Sequence, residues 1–100
     1  MALIVFRTRM APDAPESYGA RAAEIYGYAL KAPGFVSIKD FAADDGERLA
    51  IVEFETEAQS RAWGQHLEHR KAQQEGRELY YAEYSVQVCE VVRESRFERS

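Results

Sequence analysis

The order of its hydrophobic patterns is the feature of this sequence that most restricts the fold. Four stretches rich in β-branched and aromatic residues are typical of strands, and two stretches with apolar residues at helical spacing are typical of helices. This order is the split βαβ, or ferredoxin-like, arrangement. We therefore expect an α+β domain with a four-stranded antiparallel sheet and its helices on one face. The predicted strands are Ala2 to Met10, Phe35 to Phe41, Arg48 to Glu55 and Glu78 to Arg93, and the predicted helical regions are Glu16 to about Ala32 and Thr56 to about Gln74.

Short local signals mark the connections between these elements. Asp44-Asp45-Gly46 is typical of a hairpin turn between strands two and three. Thr56 and Gln59 have the spacing of a capping box, which predicts that the second helical region begins there. Gly64 weakens the middle of that region, so we expect two short helices or one kinked helix, and Gly76 is expected to end it. The complete order is then βαββ(αα)β.

Strict alternation of side chains predicts which residues share a face of each strand. It places Phe35 and Ile38 on opposite faces of strand two, and Tyr81 and Tyr84 on opposite faces of the last strand. If Glu78 to Arg93 were wholly extended, the last strand would span about 50 Å, much more than the others. A strand of that length in a small domain tends to pair beyond its own sheet.

The composition predicts one small domain that needs a second copy. The 100 residues have the size and near-average apolar share of a single domain, residues 1–100. Six tyrosines and five phenylalanines are a large aromatic load for so small an interior. We therefore expect a homodimer that buries the second, partly apolar face of the sheet. Residues 93–100 are charged apart from Phe97 and are expected to form a flexible or partner-contacting tail.

Charge and cysteine content exclude other classes. The net charge of -4, with both signs interleaved, provides no large positive field, so nucleic acid is not an expected partner. The single cysteine, Cys89, cannot form an internal disulfide. The sequence shows no signal-peptide pattern and no apolar run long enough to cross a membrane. These observations predict a cytoplasmic protein without a membrane partner.

The stretch from Trp63 to Gly76 carries most of the groups that could do chemistry. It contains the only tryptophan and both histidines, His66 and His69, among other hydrogen-bonding side chains. Imidazole is the side chain whose ordinary pKa lies near neutral pH, so either histidine could accept a proton from a ligand. This stretch is therefore the expected wall of any binding site.

Short motifs distributed along the chain form a recognisable set. They are Pro33-Gly34-Phe35, Trp63, His66, Glu68-His69-Arg70, Ala72-Gln73, Gly76-Arg77 and Tyr84-Ser85-Val86-Gln87-Val88. Together they resemble the antibiotic biosynthesis monooxygenase family, also called the dimeric α+β barrel superfamily, over nearly the whole chain. One departure concerns activity: the sequence contains no asparagine, whereas active members of the family use one beside the pocket tryptophan.

The resemblance implies a homodimer in which two ferredoxin-like sheets form an α+β barrel. It also implies a cofactor-independent monooxygenase that uses molecular oxygen on an aromatic, phenolic or polyketide-like small molecule. Two alternatives remain open: a haem-binding or haem-degrading monooxygenase, and a non-catalytic module that binds a small ligand. Whether the protein is an enzyme is thus undecided by its sequence.

The candidate site residues fall into two groups. In the catalytic group Trp63 would stack on the substrate, and His66 or His69 would remove a phenolic proton. A structural interpretation of these residues is also open: a core tryptophan, capping or surface histidines, a solvated Arg70, a structural hydrogen bond from Gln73 and a tyrosine belt at an interface. No metal is expected, because two histidines lack a nearby third ligand. The catalytic group is Trp63, His66 and His69, and the substrate-binding group is Tyr81, Tyr84, Arg70, Gln73 and Arg77.

Overall fold

Four antiparallel strands and three helices form the framework, and the computed structural model describes residues 1–99. The predicted order of elements and the division of the second helical region into two helices are confirmed. The break between those helices falls at Gly64, as predicted. The elements are β1 (Ala2–Met10), α1 (Tyr18–Leu30), β2 (Phe35–Ala42), β3 (Arg48–Phe54), α2 (Glu57–Gly64), α3 (Leu67–Glu75) and β4 (Tyr81–Glu90), with a π-helical turn (Gly76–Tyr80) before β4.

The strands lie side by side in the order β2-β3-β1-β4, and every neighbouring pair is antiparallel. The central strand β1 places Ile4, Phe6 and Thr8 on the face that the helices cover, since alternate residues share a face. This antiparallel sheet, ferredoxin-like in its order, confirms the predicted α+β class. No helix among residues 1–99 is both long and apolar enough to cross a membrane.

A small core joins the helices to the sheet near the start of β1. Phe54 is completely buried, and Ala29 of α1 and Trp63 of α2 are 2% and 4% exposed. These side chains pack with Ile4 and Val52 in one cluster. Burial of such side chains is the main contribution to the stability of a chain this size.

The capping box predicted at the start of α2 is confirmed and is tied to the preceding connection. The Thr56 hydroxyl accepts from the Gln59 backbone amide at 3.1 Å, and the Gln59 side chain accepts from the Thr56 amide at 3.1 Å. Gly34 adopts a positive φ of 81°, and a Cβ there would lie 2.0 Å from the Gln59 side-chain oxygen. Only glycine fits this contact, because any side chain would both strain the backbone and displace the cap.

The predicted face assignment in β2 is wrong. A register shift between Phe35 and Ser37 inserts one extra residue into the strand. A bulge of this kind reverses the alternation for the residues before it. Phe35 therefore packs against the same core cluster as Ile38, and its ring contacts Phe54 edge to face at 6.1 Å.

The last strand is shorter than predicted at both ends. Gly76 keeps a helical backbone, with φ −58° and ψ −46°, so the chain continues through a π-helical turn to Tyr80 instead of leaving the helix at Gly76. Residues 91–93 extend beyond β4 without regular structure, although the Val91 amide still donates to the Met1 carbonyl at 3.0 Å. The strand thus has 10 residues.

A second register shift changes the face of Tyr81. The pairing of β1 with β4 slips between Arg9 and Met10, so Tyr84 lies opposite Thr8 and Tyr81 lies opposite Met10. The prediction that Tyr81 and Tyr84 lie on opposite faces is therefore wrong. Both rings contact Phe6, at centroid distances of 5.7 and 5.6 Å, on the face that the helices cover.

Candidate functional site

A cavity of about 800 Å³ lies between the helices and the sheet. Its floor is formed by the covered face of the strands, and its walls are formed by α1, α2, α3 and the beginning of β4. The lining is mainly aromatic and aliphatic, with hydroxyl, imidazole, amide and charged side chains among it. Residues from the predicted site that line it are Trp63, His69, Gln73, Tyr81 and Tyr84.

The tryptophan and the two histidines meet at one end of the cavity. Trp63, in the last turn of α2, is held in the core cluster and also lines the cavity. Its ring centroid lies 4.8 Å from that of His69 and 5.4 Å from that of His66. The break between α2 and α3 produces this arrangement, because it turns the chain so that α3 returns His69 toward Trp63. We name these three residues the Trp–His end.

His69 is the histidine that lines the cavity. Its Nδ1 atom is enclosed and has no hydrogen-bond partner among the described residues. Burial lowers the pKa of His69 below its ordinary value of 6.5; the backbone of Gly64 acts in the opposite direction, and the neighbouring His66 lowers the pKa further. The imidazole is therefore neutral at pH 7 and has a lone pair available to accept a proton.

His66 occupies a different position. It is the N-cap residue of α3, and its Nδ1 accepts from the Glu68 backbone amide at 3.2 Å. Its ring is exposed, does not line the cavity, and lies between Trp63 and Tyr28, 5.8 Å from the latter. His66 thus stabilises the start of the helix that presents His69.

The opposite end of the cavity is built from tyrosines. The Tyr18 and Tyr81 hydroxyl oxygens lie 3.0 Å apart, and the Ser17 and Tyr80 hydroxyls are also 3.0 Å apart. Burial, followed by the hydrogen bond to Tyr18, raises the pKa of Tyr81 well above its ordinary value, so its hydroxyl stays protonated. We name Tyr18, Tyr81 and Tyr84 the tyrosine end.

The remaining predicted residues differ in how close they are to the cavity. Gln73 lines it, one helical turn beyond His69 on α3. Arg77 does not line it, but its Nη1 donates to the Tyr84 hydroxyl at 2.8 Å and so orients that side chain. Arg70 is exposed and lies outside the cavity.

Sequence reasoning missed several cavity residues. Phe6 and Thr8 line the floor, and the alternation of β1 carried the signal for both. Tyr18 of α1 also lines the cavity and was not among the predicted site residues. Asp40 and Arg48 line the edge of the floor near the tyrosine end, and no sequence motif singled them out.

Residues 1–99 contain no group of three or more histidine, cysteine, aspartate or glutamate side chains arranged to hold a metal ion. The cavity therefore offers a ligand aromatic side chains, one neutral imidazole and several hydroxyl groups. Such an arrangement can bind an aromatic ring, remove a proton from it and orient its oxygen atoms.

The fold and this cavity define a class of structures. No family model matches the sequence. Among solved structures, Rv0793 from Mycobacterium tuberculosis superposes with a TM-score of 0.80 at 16% identity, over 95% of this chain and 98% of that one. An antibiotic biosynthesis monooxygenase superposes with a TM-score of 0.77 at 13% identity, over 93% and 100% of the two chains. The chain therefore has the fold of the antibiotic biosynthesis monooxygenases, as its motifs predicted.

Two further proteins are similar to this chain, one in structure and one in sequence. SnoaB from Streptomyces nogalater, a cofactor-independent oxygenase, superposes with a TM-score of 0.77 at 16% identity, over 93% of this chain and 94% of that one. In sequence, the uncharacterized protein YqjZ of Bacillus subtilis (strain 168) is 28% identical over 83 residues, which are 83% of this chain and 73% of that protein.

Proposed function

We propose that this protein is a cofactor-independent monooxygenase of the antibiotic biosynthesis monooxygenase type, acting on an aromatic small molecule with a phenolic or polyketide-like structure. The observation that carries the proposal is the neutral imidazole of His69 on the wall of a large aromatic cavity. The fold shared with SnoaB, a cofactor-independent oxygenase, supports it.

The size and lining of the cavity fit a flat aromatic ligand. Its volume of about 800 Å³ lies within the range of sites that enclose drug-sized molecules. Trp63 lines the cavity but is only 4% exposed and lies against both imidazoles, so a ligand can stack on it only if a neighbouring side chain moves aside. Aromatic contacts of this kind contribute about 1 kcal/mol beyond area burial.

The chemistry begins with removal of a phenolic proton by His69. The resulting phenolate is electron-rich and can transfer one electron to molecular oxygen without a metal. Recombination of the two radicals forms a bond between a ring carbon and one oxygen atom. Loss of the second oxygen atom as water, with two hydrogen atoms from the substrate, leaves a quinone. Oxygen is thus the oxidant, and the substrate supplies all the electrons.

The enclosed position of Nδ1 sets one requirement for this step. A buried nitrogen without a partner costs about 1 to 3 kcal/mol, which a ligand hydroxyl could recover. Rotation of the ring about χ2, a torsion with a broad two-fold preference, exchanges its two edges and can turn the free nitrogen toward the cavity.

The test uses oxygen consumption by purified, chelator-treated protein with a panel of polycyclic phenols. His69→Gln removes the proton acceptor while keeping a polar side chain, and we expect activity to fall by about 100-fold or more. His66→Asn is the matched control: it removes the other imidazole but keeps a good N-cap for α3, so activity should be retained.

Two outcomes would contradict the proposal. If activity is lost in His66→Asn but kept in His69→Gln, then His66 accepts the proton and the assignment to His69 is wrong. Absence of turnover with every phenol, despite binding, would favour a non-catalytic ligand-binding module.

The second candidate is a haem-binding or haem-degrading protein, and the same His69 favours it. A neutral imidazole on a cavity wall is the kind of group that coordinates haem iron. For the propionates the wall offers three cations: Arg21 is paired with Glu75 and Arg61 with Glu57, both at 2.7 Å, whereas Arg48 forms no salt bridge among the described residues. Titration with haemin should then give a Soret shift that His69→Ala abolishes. An unchanged haemin spectrum excludes this candidate.

We further propose that the protein is a cytoplasmic homodimer. Leu3, Val5 and Ile51 lie on the sheet face away from the core cluster, and each remains only half-buried. In the tail, Val92 and Phe97 are 96% and 83% exposed. A second copy would cover both sets of apolar side chains. Light scattering after size-exclusion chromatography should give twice the 11.4 kDa mass, and a constant monomer mass at micromolar concentrations would refute this.

A further inference from the structure

The floor of the cavity changes from apolar to polar along β1. Ile4 lies beside Val88, whereas Thr8 lies beside Arg48 and Tyr84. Four residues of a strand separate these two positions by about 13 Å. A ligand that lies along β1 therefore meets apolar groups at one end of its length and hydrogen-bonding groups at the other.

The tyrosine end has a hydrogen atom to donate. The Tyr18 and Tyr81 hydroxyls are bonded to each other at 3.0 Å, and both side chains line the cavity. Two hydroxyls carry two hydrogens, and their mutual bond uses one. The second hydrogen and the remaining lone pairs are left for a third group.

The charges around the pair favour a neutral partner. Arg48 and Asp40 both line the cavity, and both act on the Tyr81 hydroxyl with opposite signs. Their charges offset each other, so this end carries no net charge from them. Tyr81 also stays protonated, because burial raises its pKa. The Tyr18–Tyr81 pair is therefore a neutral donor and acceptor, and the Arg77 guanidinium at this end already donates to the Tyr84 hydroxyl at 2.8 Å.

This pair lies far from the histidines. Trp63, whose ring contacts His69, packs with Ile4, whereas Tyr84, whose ring contacts Tyr81, lies opposite Thr8 on the same strand. Ile4 and Thr8 are about 13 Å apart. A ligand that reaches both ends must therefore be elongated, and two linked aromatic rings have the required length.

We propose that the Tyr18–Tyr81 hydroxyl pair is a subsite for an uncharged oxygen, a phenol or a ketone, at the end of an aromatic ligand opposite the end that reaches His69. The ligand class rests on the function proposed above. The subsite adds the requirement that the ligand has a second oxygen function. Substrates then carry two oxygen functions, one at each end of a polycyclic body.

Binding of three rigid phenols, measured by isothermal titration calorimetry, tests the subsite without any turnover. The probes are para-phenylphenol, para,para-biphenol and para-hydroxybiphenyl-carboxylic acid. They share one phenolic end and carry hydrogen, hydroxyl or carboxylate at the other. The diol should bind about fivefold to tenfold more tightly than the phenol that lacks the distal oxygen, because it gains one hydrogen bond. It should also bind more tightly than the carboxylate.

Two variants assign this difference to the pair. Tyr18→Phe and Tyr81→Phe should each reduce the preference for the diol to about twofold or less, with the affinity for para-phenylphenol unchanged. Tyr80→Phe is the matched control, because it removes the neighbouring Ser17–Tyr80 hydrogen bond that joins the same two segments. The preference for the diol should survive in it.

Three results would overturn the subsite: equal affinities of the wild-type protein for the three probes, tightest binding of the carboxylate, or no binding of any of them. The relative affinities of the wild-type protein for the three probes test the subsite even if a variant fails to fold. A preference for the diol without oxygen consumption would support the subsite and contradict the monooxygenase proposal, so the two can fail separately.

Discussion

The Trp–His end and the tyrosine end of the cavity hold their aromatic rings in different ways. At the Trp–His end, Trp63 is almost fully buried in the core cluster, and the two imidazoles lie against it without a hydrogen bond between the rings. At the tyrosine end, hydroxyl-to-hydroxyl bonds tie α1 to the beginning of β4. Apolar burial contributes much more to stability than a single neutral hydrogen bond. The Trp–His end is therefore part of the hydrophobic core. At the tyrosine end, a hydroxyl group can be replaced at a smaller cost in stability.

The strongest test of this contrast is Trp63→Ala. Removing a buried tryptophan leaves a cavity in the core, and we expect the free energy of unfolding to fall by about 3 to 5 kcal/mol. Urea unfolding measures it. Leu67→Ala is the control, because Leu67 is 63% exposed and its replacement should change stability by about 0.5 kcal/mol at most. Equal effects of the two replacements would mean that Trp63 does not anchor the core.

Gly76→Ala tests the tyrosine end. A Cβ at Gly76 would lie 2.6 Å from the Tyr81 ring, so the ring must move, and we expect a loss of about 1 to 3 kcal/mol. Gly64→Ala is the matched control: it is also in a helical segment, its Cβ would meet nothing within 4 Å, and it should stabilise by up to about 1 kcal/mol. The two glycines should therefore give opposite signs in denaturant unfolding. A neutral or stabilising Gly76→Ala would show that Tyr81 is loosely placed.

The smallest expected effect is a change in how stability depends on pH. Since the pKa of His69 is lower in the folded protein than its ordinary value of 6.5, the unfolded chain binds the proton more readily. The contribution of His69 is then fully present above pH 6.5 and is lost as the pH falls through the folded pKa. His69→Gln should reduce the loss of stability between pH 7 and pH 5, as measured by urea midpoints. An unchanged pH dependence would indicate that His69 is solvated.

Sequence periodicity was sufficient to predict the elements and their order, because each element carries its own pattern. It could not predict the two register shifts. A bulge depends on which residue of the partner strand lies opposite, so Phe35 and Tyr81 were both assigned to the wrong face. The predicted start of the last strand was wrong for a related reason. The alternation in Glu78 to Tyr80 is typical of a strand, but Gly76 packs against the Tyr81 ring, and the chain between them stays helical.

The candidate site was only partly predictable. His66 and His69 are three residues apart, a spacing at which two residues can share a helix face. However, α3 begins at Leu67, so His66 caps the helix instead. Their different surroundings, one exposed and one enclosed, arise from that boundary. The sequence could not identify Tyr18 as a site residue. A helix with apolar residues along one face gives no indication of which of those residues lines a cavity.

The position of Trp63 also makes the molecule its own optical reporter. It is the only tryptophan, so all indole emission comes from a single ring. That ring lies within 5.4 Å of both imidazoles and borders the cavity. A protonated imidazole quenches a neighbouring indole, and a stacked ligand shifts its emission. Fluorescence of the unlabelled protein thus follows both the protonation of His69 and the filling of the cavity.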